Sequence, residues 1–259
     1  MIRSVLVTGG TSGIGRAIAA RFAADQEKVV VTGRRAETVA RTASELGVGV
    51  VCDATDPGQV AALQDRTGSL DVLVNAAGGL ASGPDGPPLE ALAAQWRADL
   101  ELNLLSAVLT TGAFRDRLPP GSAVLSIGSL GAERRGGSYG AAKAALAAWN
   151  ASLSAELAPH AITCNVIAAG YVTGTAFFQG RMTEERHTAL VAETHDKRPG
   201  TPDDIAETAH FLTSPGARHI TGQTPARQRR RLHHTLSGRP GEPPGSAAVR
   251  PCCPDEVRV

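Results

Sequence analysis

Residues 4–15 read Ser-Val-Leu-Val-Thr-Gly-Gly-Thr-Ser-Gly-Ile-Gly, and no other segment restricts the fold as strongly. An apolar, β-branched run enters a glycine turn, and Ala-rich sequence with apolar residues at helical spacing follows over Arg16–Ala24. Glycines in that order serve a sharp backbone turn, close approach to a pyrophosphate and tight packing of helix on strand. The helix start then offers free N–H groups and positive potential to phosphates. A glycine cluster alone is weak evidence; one placed after a first strand and before a helix is a dinucleotide-site signal.

The rest of the chain repeats the alternation. Apolar runs at Lys28–Thr32, Gly49–Cys52, Asp71–Val74, Ala123–Ile127 and Ile162–Ile167 are near-continuous blocks, the pattern of parallel strands covered on both faces. Helical spacing fills stretches between them, such as Ala36–Leu46 and Ala141–Leu157. The reading is an α/β fold, a Rossmann-like doubly wound parallel sheet in one domain over residues 1–223.

Composition adds exclusions. Residues 1–222 hold 19 Lys/Arg against 22 Asp/Glu, which argues against a nucleic-acid or anionic-membrane partner for the main body. No run approaches a membrane span, and the chain opens directly on a strand without a leader, so the expected location is the cytoplasm. Cys52 and Cys164 sit singly in apolar strands and read as small buried hydrophobes; no metal site is expected.

Tyr139-Gly140-Ala141-Ala142-Lys143 places a phenol and an ammonium four residues apart, on one face of a helix. A free phenol is a poor base at neutral pH, and a neighbouring ammonium should lower its pKa.

Taken with the glycine turn, this sequence resembles the short-chain dehydrogenase/reductase family, particularly 3-oxoacyl-ACP reductase-like ketoreductases, over residues 1 to about 223. Thr8-Gly9-Gly10-Thr11-Ser12-Gly13-Ile14-Gly15 is similar to the family's TGxxxGIG, which implies nucleotide contacts from Thr8, Gly9, Thr11, Ser12, Gly13, Ile14 and Gly15. Asp53, with Ala54 beside it, matches the residue that contacts the adenine ring. Asn75-Ala76-Ala77-Gly78 resembles NNAG with Ala76 replacing the second Asn, implying contacts from Asn75, Ala76 and Gly78. Ala168-Ala169-Gly170-Tyr171-Val172 resembles SPGxV with Ala169 in place of Pro, implying contacts from Gly170, Val172 and the nearby Thr175.

The end of the second strand decides the nucleotide. An acidic residue there would hold the ribose 2′-OH of NAD; Gly33-Arg34-Arg35 instead favours the 2′-phosphate of NADP through Arg34 and Arg35.

The resemblance also assigns the reaction. Tyr139 exchanges the proton, Lys143 lowers the Tyr pKa and binds the nicotinamide ribose, Ser129 orients the carbonyl, and Asn103 links Lys143 to solvent through water. Many relatives place the serine thirteen residues before the Tyr, which would select Ser126; Ser129 is preferred because it closes the strand rather than lying inside it. Ser138 is expected to cap or begin the catalytic helix, and Thr201 or Asp203 to cap the last one. Residues 173–197, with Phe177, Phe178 and Met182, correspond to the variable substrate lid.

The expected activity is NADP-dependent reduction of a ketone or 3-oxoacyl group to a secondary alcohol by a homo-oligomer, dimer or homotetramer, if the C-terminus permits. Its partner is a small carbonyl or alcohol, not nucleic acid or membrane. The alternatives are NAD-linked secondary-alcohol oxidation and a non-catalytic NADP-binding regulator.

After residue 223 the character changes. Residues 223–259 carry 7 Lys/Arg against 3 Asp/Glu and six of the sixteen prolines, which composition reads as a disordered basic tail over 224–259. Relatives continue with a strand ending in LHVNGG. One back-translation of residues 224–235, with a single C deleted, encodes Thr-Leu-His-Val-Asn-Gly-Gly-Ala-Phe-Thr-Thr. The expectation is a one-base insertion near Thr224, with the final strand lost or altered.

Overall fold

The computed structural model describes residues 2–81, 86–133, 137–178, 180 and 182–227. Strands and helices alternate: β1 (Ser4–Thr8), α1 (Gly13–Ala24), β2 (Lys28–Gly33), α2 (Ala36–Leu46), β3 (Val48–Val51), α3 (Pro57–Thr67), β4 (Val72–Asn75) and α4 (Pro88–Leu100). A π-helical turn, Glu101–Leu105, joins α4 to α5 (Ser106–Phe114). Then come β5 (Ala123–Ser129), α6 (Gly137–Leu157), β6 (Thr163–Ala169), α7 (Glu184–Ala192), α8 (Pro202–Leu212) and β7 (Ala226–Arg227).

The strands form one sheet in the order β3-β2-β1-β4-β5-β6-β7, and every pairing is parallel. The order reverses between β1 and β4, and at such a switch point the connections leave in opposite directions and open a crevice beyond the strand ends. The two faces of β1 enter different cores. Val5 and Val7 pack with Ile18 and Phe22 of α1 and Ile205 of α8, while Leu6 packs with Leu63 of α3, Phe114 of α5 and Leu157 of α6. Burial on both faces explains why the strand sequences are apolar throughout.

Local chemistry sets the helix starts. Asp56 caps α3 through the N–H groups of Gly58 and Gln59, ahead of Pro57. Thr201, not Asp203, caps α8, in a reciprocal capping box with Asp204. The Asp204 carboxyl is held down to about 2, first by its hydrogen bond from Arg198. Cys52 and Cys164 are buried free thiols, and burial pushes them up to about 11 and about 12. Among the described residues no helix is long and apolar enough to cross a membrane.

The final strand is altered rather than missing. Gln223–Arg227 runs along β6, with Gln223 O accepting from Val166 N at 2.9 Å and Pro225 O from Ala168 N at 3.0 Å, and Ala226 and Arg227 register with Ala168 and Ala169. The chain therefore follows the sheet four residues beyond the boundary expected at 223. The remainder of the basic tail, residues 228–259 with Cys252 and Cys253, lies outside the described residues.

Candidate active site

A cleft of about 580 Å³ opens above the C-terminal ends of the strands, at the switch point. Its floor at one end is the glycine turn. Gly15 stands so close to the turn that a Cβ there would lie 2.4 Å from Gly9 O, so only glycine lets α1 start where it does. The Ser12 side chain makes no cap hydrogen bond, and the first turn of α1 holds no acidic residue. Its N–H groups are thus left to face the cleft, a fit for a pyrophosphate. Gly9, Thr11, Ser12, Gly13, Ile14 and Gly15 all line this end.

Arg34 and Arg35, both exposed, and Asp53 and Ala54 line the neighbouring lobe. Asp53 Oδ1 accepts from Thr55 N at 3.0 Å and Thr55 Oγ1 at 2.8 Å, which fixes the carboxylate at the mouth. Ala76 and Gly78 form the middle wall; Gly170, Val172 and Thr175 face them. The corner that lacks the family's proline is pinned another way: Gly200 N donates to Tyr171 O and Thr173 N to Gly200 O, each at 2.9 Å.

Two residues expected at the nucleotide stand behind the wall instead. Thr8 is buried, and its hydroxyl accepts from Ala76 N at 3.1 Å and Ala77 N at 3.2 Å, holding the loop after β4. Asn75 is buried too, with Nδ2 donating to Thr111 Oγ1 at 2.9 Å. Both lie on the last residues of their strands, and there the pleat and loop turn their side chains into the protein.

The inner end of the cleft collects Ser129, Tyr139 and Lys143. Ser129 ends β5; Tyr139 and Lys143 are one turn apart on α6. Ser129 and Tyr139 both line the cleft, and the Ser129 hydroxyl is near enough to act on the phenol, while Ser126 is buried against Asn75 and does not reach the cleft. Lys143 is buried; its Nζ donates to Ile127 O at 2.8 Å and stands 6.0 Å from the centre of the Tyr139 ring. Burial lowers the ammonium to about 8.

The expected downward shift of Tyr139 is not what the structure gives. Burial raises the phenol above its ordinary value, the neighbouring Ser129 hydroxyl opposes that, and the Asp99 carboxylate adds to it. Desolvation penalises the phenolate, and it outweighs the nearby donor.

Asn103 lies in the π-helical turn rather than in a regular helix. It does not line the cleft: Oδ1 accepts from Gly79 N at 3.0 Å, and Nδ2 donates to Gly79 O at 2.9 Å and Asp99 O at 3.1 Å. Lys143 Nζ and Asn103 Oδ1 flank Gly78, whose added Cβ would lie 3.2 Å and 2.9 Å from them. A glycine is required for these two groups to share that space.

Ser138 stands in the first turn of α6, one residue after its start, and its hydroxyl goes to Asp99 Oδ2 at 2.6 Å. Phe177 meets the Tyr139 ring edge-on at 5.3 Å, and Phe178 continues the contact to Tyr171. Leu80 and Leu102 also line the cleft; they carry no sequence signal, being single apolar residues in a loop and a helical turn.

Comparison with known proteins agrees with this geometry. Residues 9–226 match the family described as Enoyl-(Acyl carrier protein) reductase. The chain is 31% identical over 231 residues to the 3-oxoacyl-(acyl-carrier-protein) reductase of Escherichia coli, covering 85% of this chain and 93% of that one. It superposes with TM-score 0.73 on a short-chain dehydrogenase of Burkholderia cenocepacia in complex with NADP, at 31% identity over 87% of this chain and 95% of that one. A 7α-hydroxysteroid dehydrogenase complexed with NADH and 7-oxo glycochenodeoxycholic acid superposes with TM-score 0.76, at 29% identity over 86% of this chain and 91% of that one. The glycine turn at the head of α1, the Ser129–Tyr139–Lys143 grouping and these matches lead to one conclusion: the chain belongs to the short-chain dehydrogenase/reductase family of NAD(P)-dependent oxidoreductases.

Proposed function

We propose that this cleft reduces a ketone or 3-oxoacyl carbonyl to a secondary alcohol with NADPH. One observation carries the reading: Ser129 and Tyr139, backed by buried Lys143, stand in the same cleft as the α1 N-terminus and the Arg34–Arg35 pair. When bound, the reduced nicotinamide supplies hydride to the carbonyl carbon. Ser129 and Tyr139 present two hydroxyls to one carbonyl oxygen, which orients the substrate and stabilises the charge developing on it. Tyr139 then gives its proton to that oxygen; a phenol held protonated by burial is in the correct state to do so. The Lys143 ammonium stabilises the phenolate left behind, and the proton is replaced along Lys143, the space beside Gly78, and Asn103.

The half-buried Phe177 and Phe178 support an apolar substituent on the substrate. The test is oxidation of NADPH and NADH against a panel of ketones and 3-oxoacyl thioesters. Turnover with at least one member is expected, and its absence with every carbonyl would sink the reading in favour of a nucleotide-binding regulator.

For the nucleotide, replacing Arg34 and Arg35 together by Ala should cut kcat/KM for NADPH roughly 10- to 100-fold, the size of one or two charge-assisted contacts, with NADH little affected. Equal losses with both nucleotides would remove the argument for NADP.

Self-association belongs to the same reading. Leu89, Leu92, Trp96 and Leu100 form a stripe along α4 and are 77, 53, 42 and 36% exposed, more apolar surface than a solvated helix face carries. Trp96→Glu should convert an oligomer to a smaller species in sedimentation; an unchanged size would exclude this face. The free buried thiols suit a reducing compartment such as the cytoplasm.

A further inference from the structure

Asp99 is a buried carboxylate that the reaction described above leaves without a role. It sits in the last turn of α4, 2% exposed, one turn before Asn103. Oδ1 accepts from Ala81 N at 3.1 Å; Oδ2 accepts from Gln95 Nε2 at 2.7 Å and from Ser138 Oγ at 2.6 Å. Gln95 Nε2 also donates to Ala81 O at 3.2 Å. A carboxylate is costly to bury, and an apolar residue would fill the same space more cheaply. What the carboxylate adds is a junction of three segments: the loop after β4, α4, and the first turn of α6.

That first turn carries Tyr139, directly after Ser138. It opens at Gly137 with φ +53°. The Ser138 hydroxyl bond to Asp99 ties it to α4, and a carboxylate at a helix N-terminus is also favoured by the helix dipole. On the reading of Tyr139 as proton donor, we propose that Asp99 is a positioning residue of the reaction: through Ser138 it sets the first turn of α6, and with it the stance of the Tyr139 hydroxyl against Ser129. Its charge acts on the same phenol, adding to the effect of burial in keeping the proton on. Among the described residues, the charged groups beside Tyr139 are Asp99 from α4 and Lys143 on its own helix; Ser129, Gly131 and Phe177, which also face the ring, are uncharged, and Glu133 is exposed.

The chain contains only two tyrosines, Tyr139 and Tyr171, which makes a test possible that needs no substrate. In a Tyr171→Phe background the ultraviolet titration of tyrosinate reports Tyr139 alone, and adding Tyr139→Phe must abolish it. Asp99→Asn removes the negative charge and should move the midpoint to lower pH; Ser138→Ala keeps the charge and should leave it in place. In the otherwise native enzyme both variants should lower kcat roughly tenfold, as a displaced proton donor does, with the KM for NADPH little changed. Ser138→Thr, which retains the hydroxyl, should recover most of the loss.

A midpoint unmoved in folded Asp99→Asn, or a kcat unchanged in Ser138→Ala, would overturn the proposal. Should Asp99→Asn fail to fold, the Ser138 pair decides: a loss in Ser138→Ala that Ser138→Thr does not restore overturns it, and restoration supports it. Should the wild type reduce no carbonyl at all, the proposed reaction fails while the titration still decides whether Asp99 governs the phenol.

Discussion

Replacing Tyr139 by Phe should reduce kcat by roughly 10² to 10⁴, the range supplied by a positioned proton donor, while NADPH binding persists. The edge-on contact with Phe177 and the packing over Lys143 use the ring, which Phe retains; only the hydroxyl is lost. Stopped-flow binding of NADPH beside steady-state turnover separates the two effects. Undiminished turnover would remove Tyr139 from the chemistry, and loss of nucleotide binding with it would mean that the hydroxyl serves the site's structure instead.

Lys143→Met should abolish turnover and yet yield a more stable protein. Burial takes the ammonium from 10.5 down to about 8, so at neutral pH the folded chain holds a charge it would shed more readily than the unfolded one. A gap of that size corresponds to about 3 kcal/mol of destabilisation below pH 8. Methionine keeps the volume and removes the charge, but the Ile127 carbonyl loses its donor, at about 1 kcal/mol. The net expectation is a gain of about 2 kcal/mol at pH 7, read by urea unfolding. The sign follows from the folded pKa lying below the unfolded one. The penalty is complete under pH 8 and disappears as pH rises from about 8 to 10.5, so wild type and variant should converge over that window. A variant less stable than wild type at pH 7 would show that the ammonium bond to Ile127 outweighs its desolvation.

The strands and α2 were legible because their signals are local. Lys28–Gly33 and Ala36–Leu46 are bounded almost where the apolar blocks and the helical spacing end. The catalytic helix starts at Gly137, one residue before Ser138, although the glycines at 137 and 140 disfavour a helical turn that tertiary packing supports. The π-helical turn at Glu101–Leu105 has no signature in residue type. Thr8 and Asn75 match nucleotide motifs by position, but motif matching does not say which way a side chain turns at a strand end.

The sequence by itself determined the alternation of elements, the glycine turn before α1 and the helical spacing of Tyr139 and Lys143, because each rests on neighbours along the chain. The burial of Ser126 against Asn75, the upward shift of the Tyr139 phenol and the tie from Asp99 to Ser138 were decided only by the tertiary structure. Those three depend on burial and on contacts between segments up to 51 residues apart. Desolvation, the force that sets them, is a property of the folded surroundings and is not carried by any residue alone.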